Sequence, residues 1–480
     1  MRLGDGKRAP NRRDIVNDHG NDDARVPDML AGRTMDRWGR GLPGPEDARP
    51  SSLHGMQSQN RFLLASVANA ATTANALRPV SRTGRLSLPA FAAAMIPSEL
   101  PVQHGVGQGL LALLAARGGG AKGWRGGLGV ALNFASAAGL AQVFRVAGRS
   151  GDVLEATLTE ELGADYRSRI EEPFSPKPDV PLTRRRILAP DLRTRRRYRT
   201  TRDIAYGDAG RRNRLDVWRR SDLPDDARAP VLFQVHGGAW VMGQKENQGE
   251  PLMGHLAERG WVCVAANYRL SPRATWPDHI VDVKRALAWV KNNIAAHGGD
   301  PDFVVITGGS AGGHLCSLAA LSSGTADFQP GFEDADTSVA AAVPFYGVYD
   351  FTNRHGTSRA DIVPFLERRV FKSALVDDRA RWAQASPISH VSADAPPFFV
   401  LHGTNDSLVP VEQARTFVDE LRKASDRPVA YAELPLAQHA FDVFASVRTH
   451  HTVHAIERFL AVVRSEHGGP TPAEAVTATA

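Results

Sequence analysis

Phe303-Val304-Val305-Ile306-Thr307-Gly308-Gly309-Ser310-Ala311-Gly312-Gly313-His314-Leu315 is the stretch that decides the fold. A β-branched apolar run, the pattern of a buried strand, ends in G-x-S-x-G. It then passes without a spacer into the helix-like run His314 to Leu321. In that frame the serine sits on a tight strand-to-helix turn, with its hydroxyl presented at the top of a sheet. The glycines are required because side chains would clash where the backbone doubles back.

A second string lies 74 residues upstream, His236-Gly237-Gly238-Ala239-Trp240, directly after another buried-strand run, Val231-Leu232-Phe233-Gln234-Val235. Its bare backbone N–H groups are suited to holding the negative oxygen that forms when a serine attacks a carbonyl. Such a serine needs a base, and the base needs an orienting carboxylate. Downstream, the strand-like Pro397 to Leu401 runs into His402-Gly403-Thr404-Asn405-Asp406, which puts Asp406 just past a strand end. A last strand, Val429 to Leu434, is followed by Gln438-His439-Ala440-Phe441. The chain order is therefore Ser310, Asp406, His439, the order of serine, acid and histidine on α/β-hydrolase sheets.

With these strings the chain resembles the hormone-sensitive-lipase-type branch of α/β-hydrolase esterases and lipases, over about Tyr206 to Val463. Asn213-Arg214-Leu215-Asp216-Val217-Trp218, Asn267-Tyr268-Arg269-Leu270-Ser271-Pro272 and Gly298-Gly299-Asp300-Pro301 match as well. The resemblance implies an oxyanion hole formed by the N–H groups of Gly237, Gly238 and Ala311. The family's third glycine is replaced by Ala239, which keeps an N–H and adds a methyl group. The first string also resembles kynurenine formamidases and isoprenylcysteine methylesterases. Three activities are thus implied on one mechanism: a carboxylesterase or lipase acting on short-to-medium acyl chains, an arylformamidase-type amidase, and a prenyl or lipid methylesterase. A silent hydrolase-fold scaffold is the contrasting class; such proteins usually lack a triad member, and here each one is present.

Strand patterns near 231–235, 261–267, 303–307, 339–346, 397–402 and 429–434 alternate with helical patterns. That alternation predicts an α/β fold with a mostly parallel central sheet covered on both faces. Residues about 351–395 interrupt it, with helical stretches near Ile362–Lys372 and Arg379–Gln384, and read as a helical cap. The expected organisation is a disordered segment over 1–60, an Ala/Leu/Gly-rich helical region over 61–175, the hydrolase domain over 176–466 and a disordered tail over 467–480. A chain beginning near Val180 is expected to hold the complete catalytic set.

Net charge is +6, but 50 of the 58 basic residues are Arg, and no basic run is interleaved with aromatics. No nucleic-acid partner is therefore expected. Fourteen Arg against four Asp between Thr183 and Arg220 form either a solvated, partly stranded lead into the sheet or a contact for anionic headgroups. Charge-free runs such as Gly126–Phe144 read either as a small helical domain packed on the hydrolase or as a membrane-inserted segment, so residues 86–147 are a candidate for membrane association. The expected location is cytoplasmic or membrane-associated, with a small-molecule or lipid ester as substrate. Cys263 and Cys316 read as buried thiols. His450 and His454 share a helix face but lack a third ligand at suitable spacing, so no metal is expected, and no nucleotide-binding pattern calls for an organic cofactor. Asp282 precedes the serine and Asp350 falls one strand too early, so both read as structural.

Overall fold

The computed structural model describes residues 51–188, 197–246 and 248–467. Residues 1–50 of the segment expected to be disordered, and 468–480 of the tail, lie outside them. Ser51 already begins a helix, α1 (Ser51–Leu77), so the expected boundary near residue 60 falls inside a regular element.

Eight strands form one sheet: β1 (Arg199–Ala205), β2 (Arg214–Trp218), β3 (Ala229–Val235), β4 (Val262–Ala266), β5 (Gly299–Gly309), β6 (Ala341–Phe345), β7 (Phe398–Gly403) and β8 (Val429–Leu434). Their order is β1-β2-β4-β3-β5-β6-β7-β8. From β4 to β8 every pairing is parallel, whereas β1 and β2 join antiparallel at one edge. Successive side chains of the central strands enter opposite cores, as the two-residue period requires. Val231, Phe233, Val304 and Ile306 face one side, while Leu232, Phe303 and Val305 face the other. Because both faces are buried, these strands carry continuous apolar runs.

Four further helices longer than ten residues precede the sheet among the described residues: α2 (Ser87–Glu99), α3 (Pro101–Arg117), α4 (Gly123–Gly148) and α5 (Ser150–Leu162). The hydrolase core adds α6 (Glu250–Glu258), α7 (Asp278–Asn293), α8 (Ala311–Leu321), α9 (Val411–Ala424) and α10 (Val447–Glu466). Helices α7, α8 and α9 cover the first face, and α6 and α10 the second. Helix α5 joins the second face through Leu154 and Leu158. Its Glu161 accepts a hydrogen bond from the first backbone N–H of β8, Val429, at 2.6 Å. The expected division near residue 175 therefore moves: α5 belongs to the packed body of the hydrolase. Cys263 and Cys316 are free and buried in opposite cores.

The insertion between β6 and β7 holds short helical turns over Ala360–Phe371 and Arg379–Gln384. Its Phe371 and Trp382 stack at 4.1 Å and join the core of the first face.

Candidate active site

β5 ends at Gly309 and α8 begins at Ala311, so Ser310 alone makes the turn, at φ 60° and ψ −121°. This is a costly conformation for a residue with a Cβ, and it persists because the surroundings over-determine it. A Cβ on Gly308 would lie 2.6 Å from Val235 O, and one on Gly312 2.2 Å from the same atom. The flanking glycines therefore let the turn press against the end of β3. Ser310 N donates to Phe345 O at 3.0 Å, which pins the turn to β6.

The end of β3 runs into the glycine loop beside that turn. A Cβ on Gly237 would come within 3.2 Å of Ser310 Cβ. Gly238, Ala239 and Trp240 follow at φ 122°, 50° and 63°, a run of positive angles that turns their N–H groups away from the strand ladder. The donors expected from the resemblance do not all remain open. Gly237 N donates to Gln248 Oε1 at 2.6 Å and is already engaged. Among the described residues, the N–H groups of Gly238, Ala239 and Ala311 have no acceptor within the chain. The loop is anchored behind by Trp240, whose indole N–H donates to His314 Nδ1 at 3.0 Å. His314 Nε2 in turn bonds Ala385 O of the cap at 2.7 Å. Burial pushes the His314 pKa down to about 3, so it is a neutral strut between loop, helix and cap. His236 is likewise held neutral by burial, down to about 4, and stacks on Tyr268 at 4.3 Å.

Asp406 and His439, 33 residues apart, meet directly: His439 Nδ1 lies 2.7 Å from Asp406 Oδ2. The other carboxylate oxygen accepts from Leu408 N at 2.7 Å and Val409 N at 2.8 Å. His402 Nε2 stands 3.3 Å from Oδ2. Burial alone would favour the neutral acid, but the adjacent imidazoles of His439 and His402 outweigh it and hold the carboxyl well below the usual carboxylate range.

Tyr346 joins the two halves of the site. Its ring packs on His439 with centroids 4.5 Å apart, and its hydroxyl stands where a Cβ on Gly309 would meet it at 2.6 Å. That hydroxyl donates to Asp442, whose pKa is raised by burial. Neither Tyr346 nor Asp442 carries a motif, and only the fold reveals them. Asp282 is bound to Arg269 N, Nε and Nη2, and Asp350 accepts from Thr352 and Arg354 N, so both expected structural acids hold loops.

The helical N-terminal region packs on the hydrolase, as one of its two expected readings has it, and it reaches this site, which the sequence did not reveal. Phe91 of α2 meets His439 edge-on at 5.9 Å. Asn405, next to the acid, donates to Ala76 O at 3.0 Å and Leu77 O at 3.1 Å, and accepts from Arg82 Nη2 at 3.2 Å. A chain beginning near Val180 would keep Ser310, Asp406 and His439 but lose these supports.

His454 does acquire neighbours, His255 and Glu457, with their ligand atoms all within 4.8 Å. Both Glu457 oxygens are already engaged, by Arg259 Nε at 2.5 Å and His255 Nε2 at 2.7 Å.

A family model described as BD-FAE matches residues 215–421. The probable carboxylic ester hydrolase LipM of Mycobacterium tuberculosis is 50% identical over 437 residues, 89% of this chain and 99% of that protein. A match of that length runs beyond the hydrolase core into the N-terminal helices. Esterase LipQ of the same organism is 50% identical, over 67% of this chain and 76% of its own. The isoprenylcysteine alpha-carbonyl methylesterase ICME of Arabidopsis thaliana is 30% identical over 49% of this chain and 54% of its own.

Proposed function

We propose, for a chain that belongs to the α/β-hydrolase carboxylic ester hydrolases of the hormone-sensitive-lipase-like kind, that ester cleavage runs through an acyl-enzyme on Ser310. The observation that carries this reading is a strained serine turn with free N–H groups, linked through the Tyr346 ring to an imidazole bonded at 2.7 Å to a buried carboxylate. His439 takes the Ser310 proton as Oγ attacks the ester carbonyl. Asp406 orients the ring and stabilises its charged form. Gly238 and Ala311 hold the oxyanion, with Ala239 supplying the third donor in place of Gly237. His439 then protonates the leaving alcohol and activates water to release the acid. No metal or organic cofactor takes part in these steps.

We assign the acyl chain to a cavity of ≈ 40 Å³ lined by Trp240 on the oxyanion loop, Ile362, Val363 and Leu366 of the cap, and Leu408 and Val409 after the acid. A water-sized group needs roughly 10–15 Å³ on this measure, so the cavity takes about three of them. That favours short acyl chains over long ones. In a series of p-nitrophenyl esters, kcat/KM is expected to peak at short-to-medium length. Ile362→Ala should raise the hexanoate-to-acetate ratio about tenfold, the scale of a methylene or two in an apolar pocket. Rates that climb to the longest chains would refute the assignment. An aryl formamide assayed in parallel separates the amidase reading, and a prenylcysteine methyl ester the methylesterase reading.

Phe91 forms the wall beside the base. Phe91→Ala should lower kcat/KM on a short ester about tenfold, the upper range for one aromatic edge contact. The circular dichroism spectrum should not change. Wild-type kinetics in that variant would remove α2 from the site. The enzyme's place of work, in this reading, is a membrane surface reached through residues 86–147.

A further inference from the structure

Between Ser51 and Gly151 the chain carries nine Lys and Arg and a single acid, Glu99. Glu99 is buried, accepting from Ser446 Oγ at 3.0 Å and pairing with Arg448 Nε at 3.2 Å. The outer surface of this helical region is therefore basic and free of acids.

That surface is also apolar. From Leu110 to Ala116, α3 is apolar around its whole circumference, yet none of these residues is buried. A helix apolar on all sides belongs in a core or in lipid, and here most of it faces outward. Helix α4 presents a stripe at helical spacing, in which Trp124 is 72% and Phe134 73% exposed, with Leu128 between them. Arg117, Lys122 and Arg125 stand at the α3–α4 turn, and Arg145 and Arg149 at the far end of α4.

We propose that α3 and the outer stripe of α4 dock on an anionic lipid bilayer. Leu110, Leu114, Trp124 and Phe134 enter the boundary between headgroups and acyl chains, while the flanking Arg and Lys contact lipid phosphates. This rests on the reading that residues 86–147 meet a membrane, and narrows it to one face and one lipid chemistry. Lying on the surface fits better than crossing. The inner side of α4 is stitched to α1 and α3 by Thr73–Ser136 at 2.7 Å, Ser136–Gln108 at 2.9 Å and Asn69–Asn133 at 3.2 Å. Its C-terminal end passes through Arg149 into α5, which packs in the hydrolase body. A second copy is a poorer occupant, since a self-paired interface would set this acid-free basic surface against itself. The neighbouring α2 carries Phe91 against His439, so docking holds lipid on the helical region that walls the catalytic site.

The test is flotation of the full chain with phosphatidylcholine vesicles, with and without phosphatidylglycerol. Binding is expected to need the anionic lipid and to weaken with salt. The exposed double variant Leu110→Asp, Leu114→Asp should lower partitioning about a hundredfold, roughly tenfold for each apolar side chain withdrawn from lipid. Hydrolysis of a soluble butyrate ester should be unchanged, which shows that the variant is folded. Equal binding to both vesicle types overturns the lipid assignment. Vesicle binding untouched by the double variant overturns the face while leaving the membrane reading in place. No vesicle binding, together with a dimer that the double variant splits, overturns both and gives the face to a second copy.

Discussion

Ser310→Ala is expected to lower kcat on a p-nitrophenyl ester by about 10⁶, the scale of removing the nucleophile from a preorganised serine triad. The substitution takes away only Oγ. Alanine has the same Cβ as serine, so the turn at φ 60° keeps the same strain, and the Ser310 N to Phe345 O bond at 3.0 Å is a backbone contact that the change leaves alone. Thermal unfolding should therefore shift little, and the loss of activity cannot be attributed to unfolding. A fluorophosphonate probe should label the wild-type protein at Ser310 and leave the variant unlabelled. Labelling at a different serine, or turnover by the variant within tenfold of wild type, would remove Ser310 from the chemistry.

The parts of this site that were legible in the sequence are those with a local cause. Strands β3 to β7 announce themselves because a strand buried on both faces must be largely apolar, and such runs as Val304-Val305-Ile306 have few other uses. The serine turn is legible because its glycines answer contacts that any Cβ would violate. Asp406 and His439 could be placed because each follows a strand end directly. β1 was obscured because it sits at the sheet edge and reads Arg199-Thr200-Thr201-Arg202-Asp203-Ile204-Ala205, mostly polar and half exposed.

What could not be read depended on distant partners. The N–H of Gly237 looks as free as that of Gly238 until Gln248, eleven residues on, is folded back onto it. Phe91 is one more apolar residue on a helix, and nothing local marks it as the neighbour of His439. The pattern of charge in the N-terminal helices was visible, but its meaning was not. Only the fold separates Glu99, buried against Arg448, from nine basic residues and leaves the outer surface without an acid.

Asp406→Asn should be the second most damaging change, lowering kcat about 10⁴-fold with little effect on KM, the scale seen when a triad imidazole is held in the wrong tautomer. The reason lies in the hydrogen bonds around the carboxylate. Leu408 N and Val409 N both donate to Oδ1, so an asparagine must turn its carbonyl oxygen to that position. Its NH₂ then takes the place of Oδ2 and points at His439 Nδ1, which becomes an acceptor. The ring proton moves to Nε2, and the nitrogen that should receive the serine proton is occupied. The variant should also lose an acid-dependent share of stability. Asp406 is held ionised in the folded protein, below its unfolded pKa near 4, so its contribution is present above ~4 and is lost as the pH falls from there. Wild-type stability should thus drop more steeply on acidification than that of the variant, as read by melting temperature. Asp350→Asn and Asp282→Asn should leave kcat within about tenfold of wild type, because their carboxylates hold loops. If Asp406→Asn were mild and Asp442→Asn severe, the orienting acid would be the Asp442 carboxylate, which shares Tyr346 as a neighbour with His439.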